Sequence, residues 1–445
     1  RPLSGPPPVQ TRVRGPNDAN LARFAHKVAF GPGCCVTAAA LRLDGVSTYG
    51  SILKTPGVAR IIAAQLTARF PFGMLSLAVL IHIETIHHSY GAAGLVLAAM
   101  SIGQAISGPL TSRWMGAWGM RRVLTLTMLV CASAIAAVAF LVLPVPAYMA
   151  IGFVGGLATP PVQPAVRTIY PKLVNSRQLT ALFSLDASAQ EIIWVAGPVI
   201  TTFVATQISS TLALVIAGAF MLGGGTWFIL SPEVGRVRIP RSKRKLGAVL
   251  KKPAVLLATI TGLLLVASCA AIEASVVATF GEGGAEAGIV LAIFSIGSLA
   301  GGLALGHVPI GPWALARRMF VVFVGMAIAM LFLDFWWISF ALLIAGIGIA
   351  PALAVMFAIV SGTVKFSDTA EAYGWVGTGQ LIGAALGSAV AGFLIDDHGA
   401  VGGYWAAAAV ALVGFLIPLV LKSWHPDLRG REASVPDTAP VPIQS

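Results

Sequence analysis

Two charged side chains fall inside long apolar runs of the sequence, where a charge costs roughly 3 kcal/mol or more in a lipid setting. Arg69 stands 12 residues after Gly57, about 18 Å along a helix that rises roughly 1.5 Å per residue. Glu191 stands in a later run, about 15 Å from the same face by the same rise. The depths match, so the spacing predicts an ion pair between neighbouring helices. A buried Glu whose protonation depends on a movable Arg would carry a proton. A fixed pair would only hold two helices together. Arg69-Phe70-Pro71 also interrupts its helix, and carbonyls freed there suit a cavity wall. Glu273 lies near the far end of its own run, where a gate or cavity mouth is expected. Gln65, Gln163 and Gln380 either line the cavity and bond substrate or bond across helices. Arg167 and Asp186 flank a short loop, and a closure contact is expected of them.

Other chemistries find little support. His82, Glu84, His87 and His88 have a spacing that could suit a metal, but histidines at a membrane interface account for it equally. No metal or cofactor is assigned. Cys131 and Cys269 stand singly in separate runs and read as small core residues. An embedded hydrolase or transferase needs clustered His, Asp or Ser, and the runs offer none, so the chain is not expected to be an enzyme. It also lacks Gly-x-x-x-x-Gly-Lys-Ser/Thr, so ATP is not expected to drive it.

The elements that must position these residues follow from composition. Of 445 residues, 57% are apolar and 10% charged, against roughly 25% charged in soluble domains. Mean hydropathy is +0.86. Windows such as 123–166 and 192–232 hold no charge at all, and each exceeds the roughly 20 residues of one span. Pro144 and Pro146 divide the first, Thr206–Ser210 the second. The expected spans are 56–83, 91–112, 123–143, 147–168, 181–205, 210–230, 254–280, 286–306, 316–334, 337–361, 369–395 and 400–421. Barrel strands alternate over about 10 residues; these runs are twice as long and apolar throughout. The fold class is therefore all-α, with twelve transmembrane helices.

Basic residues orient the bundle. With residue 54 inside, 22 of the 29 Lys and Arg fall on predicted cytoplasmic segments. The opposite side holds acids only, among them Glu84, Glu282, Asp334, Asp396 and Asp397. Positive residues are retained inside, so both termini are expected to be cytoplasmic, in the cell inner (plasma) membrane. The chain divides into an extension (1–53), a first half (54–230), a basic linker (231–253), a second half (254–422) and a polar tail (423–445). The linker lacks the interleaved aromatics of a nucleic-acid surface; topology control and anionic lipid explain its charge. Residues 1–45 begin without Met and lack a signal-peptide apolar core. Val46 is read as a possible native start, with 1–45 outside the natural protein.

Internal repetition marks transporter folds. Residues 93–108 and 287–302 share nine of 16 positions at an offset of 194. Gly156, Pro161, Gln190 and Gly197 return at an offset of 190 as Gly346, Pro351, Gln380 and Gly387. Both offsets pair span n with span n + 6, giving two six-helix repeats of the same orientation. This architecture resembles the major facilitator superfamily, over about residues 54–422. That family's loop between spans 2 and 3 reads Gly-x-x-x-Asp-Arg-x-Gly-Arg-Arg/Lys, and Gly108, Arg113, Gly119, Arg121 and Arg122 fit it if extra residues are allowed around Gly119. Ser112 stands where the family has the acid that helps latch the two halves. The family's proton antiporters also carry a Gly-Pro motif in span 5, which Gly197-Pro198 matches; the same pair could equally mark a kinked, closely packed helix. The resemblance implies that spans 1, 4, 7 and 10 line a central cavity. It implies a secondary transporter of a small molecule, acting by alternating access, most simply as a proton-coupled exporter and monomer. Uptake by proton symport is the alternative, and a non-transporting receptor or scaffold the alternative of another class.

Overall fold

The structure, a computed structural model, describes residues 49–242, 244–280, 285–306 and 308–429. The readings of residues 1–45, of Val46, of Glu282 and of 430–445 lie outside these. Among the described residues there is no strand. Eleven helical spans are long and apolar enough to cross a membrane, and Ala314–Ala329, at 16 residues, takes the ninth place in order. Span 1 is Val58–Arg69 followed by Pro71–His87; spans 2 and 3 are Tyr90–Trp118 and Met120–Phe140. Span 4 is Val145–Leu157 followed by Val162–Leu173; spans 5 and 6 are Ser176–Gln207 and Ser210–Leu230. Spans 7 to 9 are Pro253–Phe280, Ala285–Leu305 and Ala314–Ala329; spans 10 to 12 are Phe335–Thr363, Phe366–His398 and Ala400–Val420.

Local chemistry sets the helix ends and corrects three expected boundaries. Asn175 accepts a hydrogen bond from Gln178 N and starts span 5 at Ser176, five residues before the expected 181. A side-chain oxygen at that place satisfies an otherwise orphaned N–H. Asp334 accepts from Trp336 N and Trp337 N, so it opens span 10 and does not close span 9, which stops at Ala329. Span 4, expected unbroken, parts at 158–161, where Pro160 and Pro161 supply no N–H. Span 1 breaks at Phe70, before Pro71, as the sequence indicates.

The repeat seen in sequence is a repeat of helix crossings. Span 1 packs on spans 5 and 6, span 2 on 4, and span 3 on 6; six spans later, 7 packs on 11 and 12, 8 on 10, and 9 on 12. Span 2 against 11 and span 5 against 8 join the two sets. The recurring glycines sit at these crossings. A Cβ on Gly103 or Gly156 would strike the facing backbone of spans 4 and 2, and one on Gly297 or Gly346 that of spans 10 and 8. Gly197 meets the backbone of Gly73, and its counterpart Gly387 that of Ala267. Without water to drive association, membrane helices gain from close backbone approach at small residues. Gly156→Val is therefore expected to abolish monodisperse protein in size-exclusion chromatography. Gly223→Val, where nothing lies within 4 Å of the added Cβ, is expected to elute as wild type does.

Between the two sets of six, the polar and ring contacts of the described residues lie at mid-bundle or nearer the end that carries the linker. Arg113 Nη1 donates to Glu371 Oε2 at 2.9 Å, and Gly247 N to Glu371 Oε1 at 2.7 Å. Arg113 also donates to the backbone oxygen of Arg244, whose side chain reaches Asp368 at 3.8 Å. Glu371 thus supplies, from span 11, the carboxylate that Ser112 lacks, while Ser112 Oγ is buried without a partner. Tyr49 and Ser184 both donate to Gly302 O, at 3.0 and 2.6 Å. Thr378 donates to Ala105 O at 2.8 Å, and Gly108 lies against Gly374. Arg121 donates to Ile229 O (3.0 Å) and Ser231 O (3.3 Å), tying span 3 to the end of span 6; Arg122 is exposed. Gly119, at φ 91°, makes the turn between spans 2 and 3 in a conformation that glycine adopts readily.

Candidate functional site

Arg69 does not pair with Glu191. It pairs with Asp186, Nη1 to Oδ1 at 3.5 Å, donates to Gln65 Oε1 at 2.9 Å, and donates to Gln190. The reason is helical phase and depth. Span 5 starts earlier than expected, so Asp186 lies 10 residues inside it, about 15 Å deep. Gln190 is one turn further on the same face, and Glu191 is turned about 100° away from it. Asp186, expected to flank the loop, is accordingly the fully buried centre of a network. Gln65 Nε2 donates to its Oδ1 at 3.0 Å, Tyr170 OH to the same oxygen at 3.1 Å, and Arg167 Nε to Oδ2 at 3.4 Å. The guanidinium donors around the Gln163 amide assign its oxygen to their side, where it accepts from Arg69 Nη2 at 3.1 Å and from Arg167 Nη1 and Nη2 at 2.9 and 2.6 Å.

Arg167 and Asp186, of which a closure contact is expected, both belong to the first six spans and pair with one another. Arg167 reaches the opposite set instead: its guanidinium carbon lies 3.3 Å from the centroid of the Phe357 ring in span 10. Tyr373 packs edge to face on Phe357, Phe183 lies tilted against both rings, and Tyr373 OH donates to Phe357 O at 2.9 Å. Tyr170, Gln190, Phe357 and Tyr373 were not legible as site residues. Gln190 alone carried a signal: it recurs as Gln380 in the repeat and lies one helical turn from Asp186.

Glu191 faces the other way. Its Oε1 accepts from Ser298 Oγ of span 8 at 2.8 Å, and Ser295 also bonds it. Glu273 of span 7 lies within electrostatic reach of it, as both do of Cys269. Neither carboxylate forms an ion pair among the described residues. Glu273 is exposed and lies 20 residues after the start of span 7, nearer the end away from the linker. Gln380 lies in span 11 beside Gly262 of span 7, apart from the Asp186 network. Gly197 packs on span 1, and Pro198 follows it inside span 5. His82 bonds Ser210 Oγ (3.1 Å) and Val138 O (3.0 Å), and His87 bonds Leu143 O (3.0 Å). These histidines join spans, and no group of three metal-ligating side chains occurs among the described residues.

Comparison with known proteins gives the fold a lineage. The chain resembles the bacterial homologue of the iron transporter ferroportin in its outward-facing state, with a TM-score of 0.68 and 14% identity, over 82% of this chain and 99% of that one. It resembles the human organic anion transporter MFSD10 (TM-score 0.64, 15% identity, 81% and 98% covered). The proton:xylose symporter XylE is similar too (TM-score 0.64, 13% identity, 84% and 97% covered). No curated protein matches by sequence. The family model of the Major Facilitator Superfamily matches residues 61–333 and 268–444. A helical membrane bundle with paired six-span repeats and this match has one reading: the chain belongs to the Major Facilitator Superfamily and is a multi-pass membrane transporter, not an enzyme.

Proposed function

We propose that this chain is a proton-coupled exporter of a small molecule, with its linker end in the cytoplasm. The observation that carries the reading is the pair Glu191 and Glu273. They are carboxylates from opposite sets of spans, near one another, without an ion-pair partner among the described residues. A carboxylate in such a place binds and releases protons as its surroundings change. Rocking of the two sets would alter the distance between these two and the contact of Glu191 with Ser298, so protonation and conformation are linked.

Export is favoured over uptake by the ends nearer which the two polar sites lie. Glu273 is exposed and lies nearer the end of span 7 away from the linker, the side from which external protons would come. The Asp186 network lies under the Phe357 ring towards the linker end, and separation there would uncover it to the cytoplasm. Gly197-Pro198, shared with the family's proton antiporters, agrees with that direction.

Orientation has a direct test in a variant whose four native cysteines are replaced. Cysteines placed at Val145, Ser209 and Gly399 are expected to label with an impermeant thiol reagent added to intact cells. Cysteines at Ser242 and Ser367 are expected to stay silent until the cells are opened. Outside labelling at residue 242 would reverse the orientation and, with it, the direction of transport.

A further inference from the structure

We infer that the transported substrate is an amphipathic anion, whose charged head replaces the Gln163 amide oxygen between Arg69 and Arg167. This names the substrate class of the transport reading above and rests on that reading. The two guanidiniums are 4% and 1% exposed, and Asp186, fully buried, is the one carboxylate ion-paired with either among the described residues. A unit of positive charge is thus left over inside the bundle. What faces it is neutral: Gln65, Gln190, Tyr170 and above all Gln163, whose oxygen both arginines address. Hydrogen bonds from guanidinium to an anionic oxygen are roughly twice as strong as those to a neutral one. The amide oxygen is therefore a weak occupant of a position made for a carboxylate, sulfonate or phosphate oxygen.

The surroundings allow such a ligand to enter and give its apolar part a place. Gln163 and Gln190 are partly exposed, so the arginines are not sealed on that side. On the linker side Arg167 is covered by Phe357, which belongs to the opposite set and would leave with it. An apolar cleft lined by Phe72, Leu75, Val96 and Met100 reaches Thr159, at the break in span 4. Phe72 is three residues from Arg69 across the break at Phe70, and Thr159 four residues from Gln163 across the break in span 4. The body site therefore lies within a few residues of the head site on both spans.

The test is thermal unfolding of the purified full chain with three probes of one shape. These are 2-naphthalenesulfonate, the neutral 2-naphthalenesulfonamide and the cationic (2-naphthyl)trimethylammonium. The sulfonate is expected to raise Tm in a saturable way and the other two to leave it unchanged. Gln163→Glu supplies a tethered carboxylate at the same point. It is expected to melt above wild type without ligand and to bind the sulfonate at least tenfold more weakly. Arg69→Gln leaves Asp186 with Arg167; it is expected to stay folded and to lose the sulfonate response equally. No response to millimolar sulfonate in the wild type, an equal response to the neutral or cationic probe, or unchanged sulfonate affinity in both variants would overturn the inference. Proteoliposome flux separates this from transport itself. Proton-driven movement of only neutral or cationic cargo removes the anion and leaves the transporter. A sulfonate response without flux leaves the site and removes the proton-coupled cycle.

Discussion

Glu191→Gln is expected to reduce net, proton-driven transport to the level of empty vesicles, a loss of about two orders of magnitude or more, while leaving substrate exchange near wild type. The amide has the shape of the protonated acid and cannot release a proton. A cycle that must alternate between protonated and ionised Glu191 then stops in its return limb. Exchange of labelled for unlabelled substrate across the membrane needs no change of protonation, so it continues. The hydrogen bond with Ser298, 2.8 Å in the wild type, can still be made by the amide oxygen, so folding is not expected to suffer. Proteoliposomes with an imposed pH gradient, loaded with a cargo from an accumulation screen in a host lacking its own exporters, provide both measurements. Full proton-driven flux in the variant would shift coupling to Glu273 or abolish the proton reading.

Asp186→Asn is expected to be the most destabilising polar substitution in the first six spans, by about 3–5 kcal/mol, the usual cost of stranding a buried charge. The side chain accepts from Gln65 and Tyr170 and is ion-paired with Arg69 and Arg167. An amide there offers one acceptor oxygen in place of two and no charge, leaving two guanidiniums without a counterion. Adding Arg69→Gln to Asp186→Asn is expected to recover part of the loss, because one stranded cation is removed. Arg69→Gln alone is expected to cost far less, since the remaining Arg167 and Asp186 balance. Thermal unfolding in detergent ranks the three. A wild-type Tm for Asp186→Asn would mean that the network is hydrated and that its charges are not coupled.

The contrast between these two residues shows where sequence reading ends. Depth along a helix is arithmetic, and it put Arg69 near span 5 correctly. Which residue of span 5 it meets depends on where that helix starts and how it is rotated. Asn175, a capping residue legible in retrospect, shifted the start by five residues, and Asp186 took the place expected for Glu191. Likewise the adjacent Pro160 and Pro161 carried a visible signal for the break in span 4. Gln163 and Arg167 are one turn apart on span 4, a spacing the sequence contains, but that Arg69 of span 1 comes to the same amide is not in any one-dimensional spacing. Phe357 stands in a span with no charge between Phe335 and Thr363, so nothing in its own neighbourhood marks it as the partner of Arg167.

The twelve spans and the all-α class were determined by the sequence alone, because hydrocarbon forces each crossing segment to be long, apolar and internally hydrogen-bonded. The six-span repeat was too, because its recurring glycines are required wherever two backbones cross closely, and that need leaves the same residue at the same place in both halves. Tertiary structure decided which charges meet. Burial makes a charge choose its partner by distances of a few ångströms and by direction, and these depend on helix rotation, on kinks at Phe70 and at residues 158–161, and on the apposition of the two sets of spans. The surplus cation at Arg69 and Arg167, and the separate carboxylates at Glu191 and Glu273, came into view only when those rotations were set.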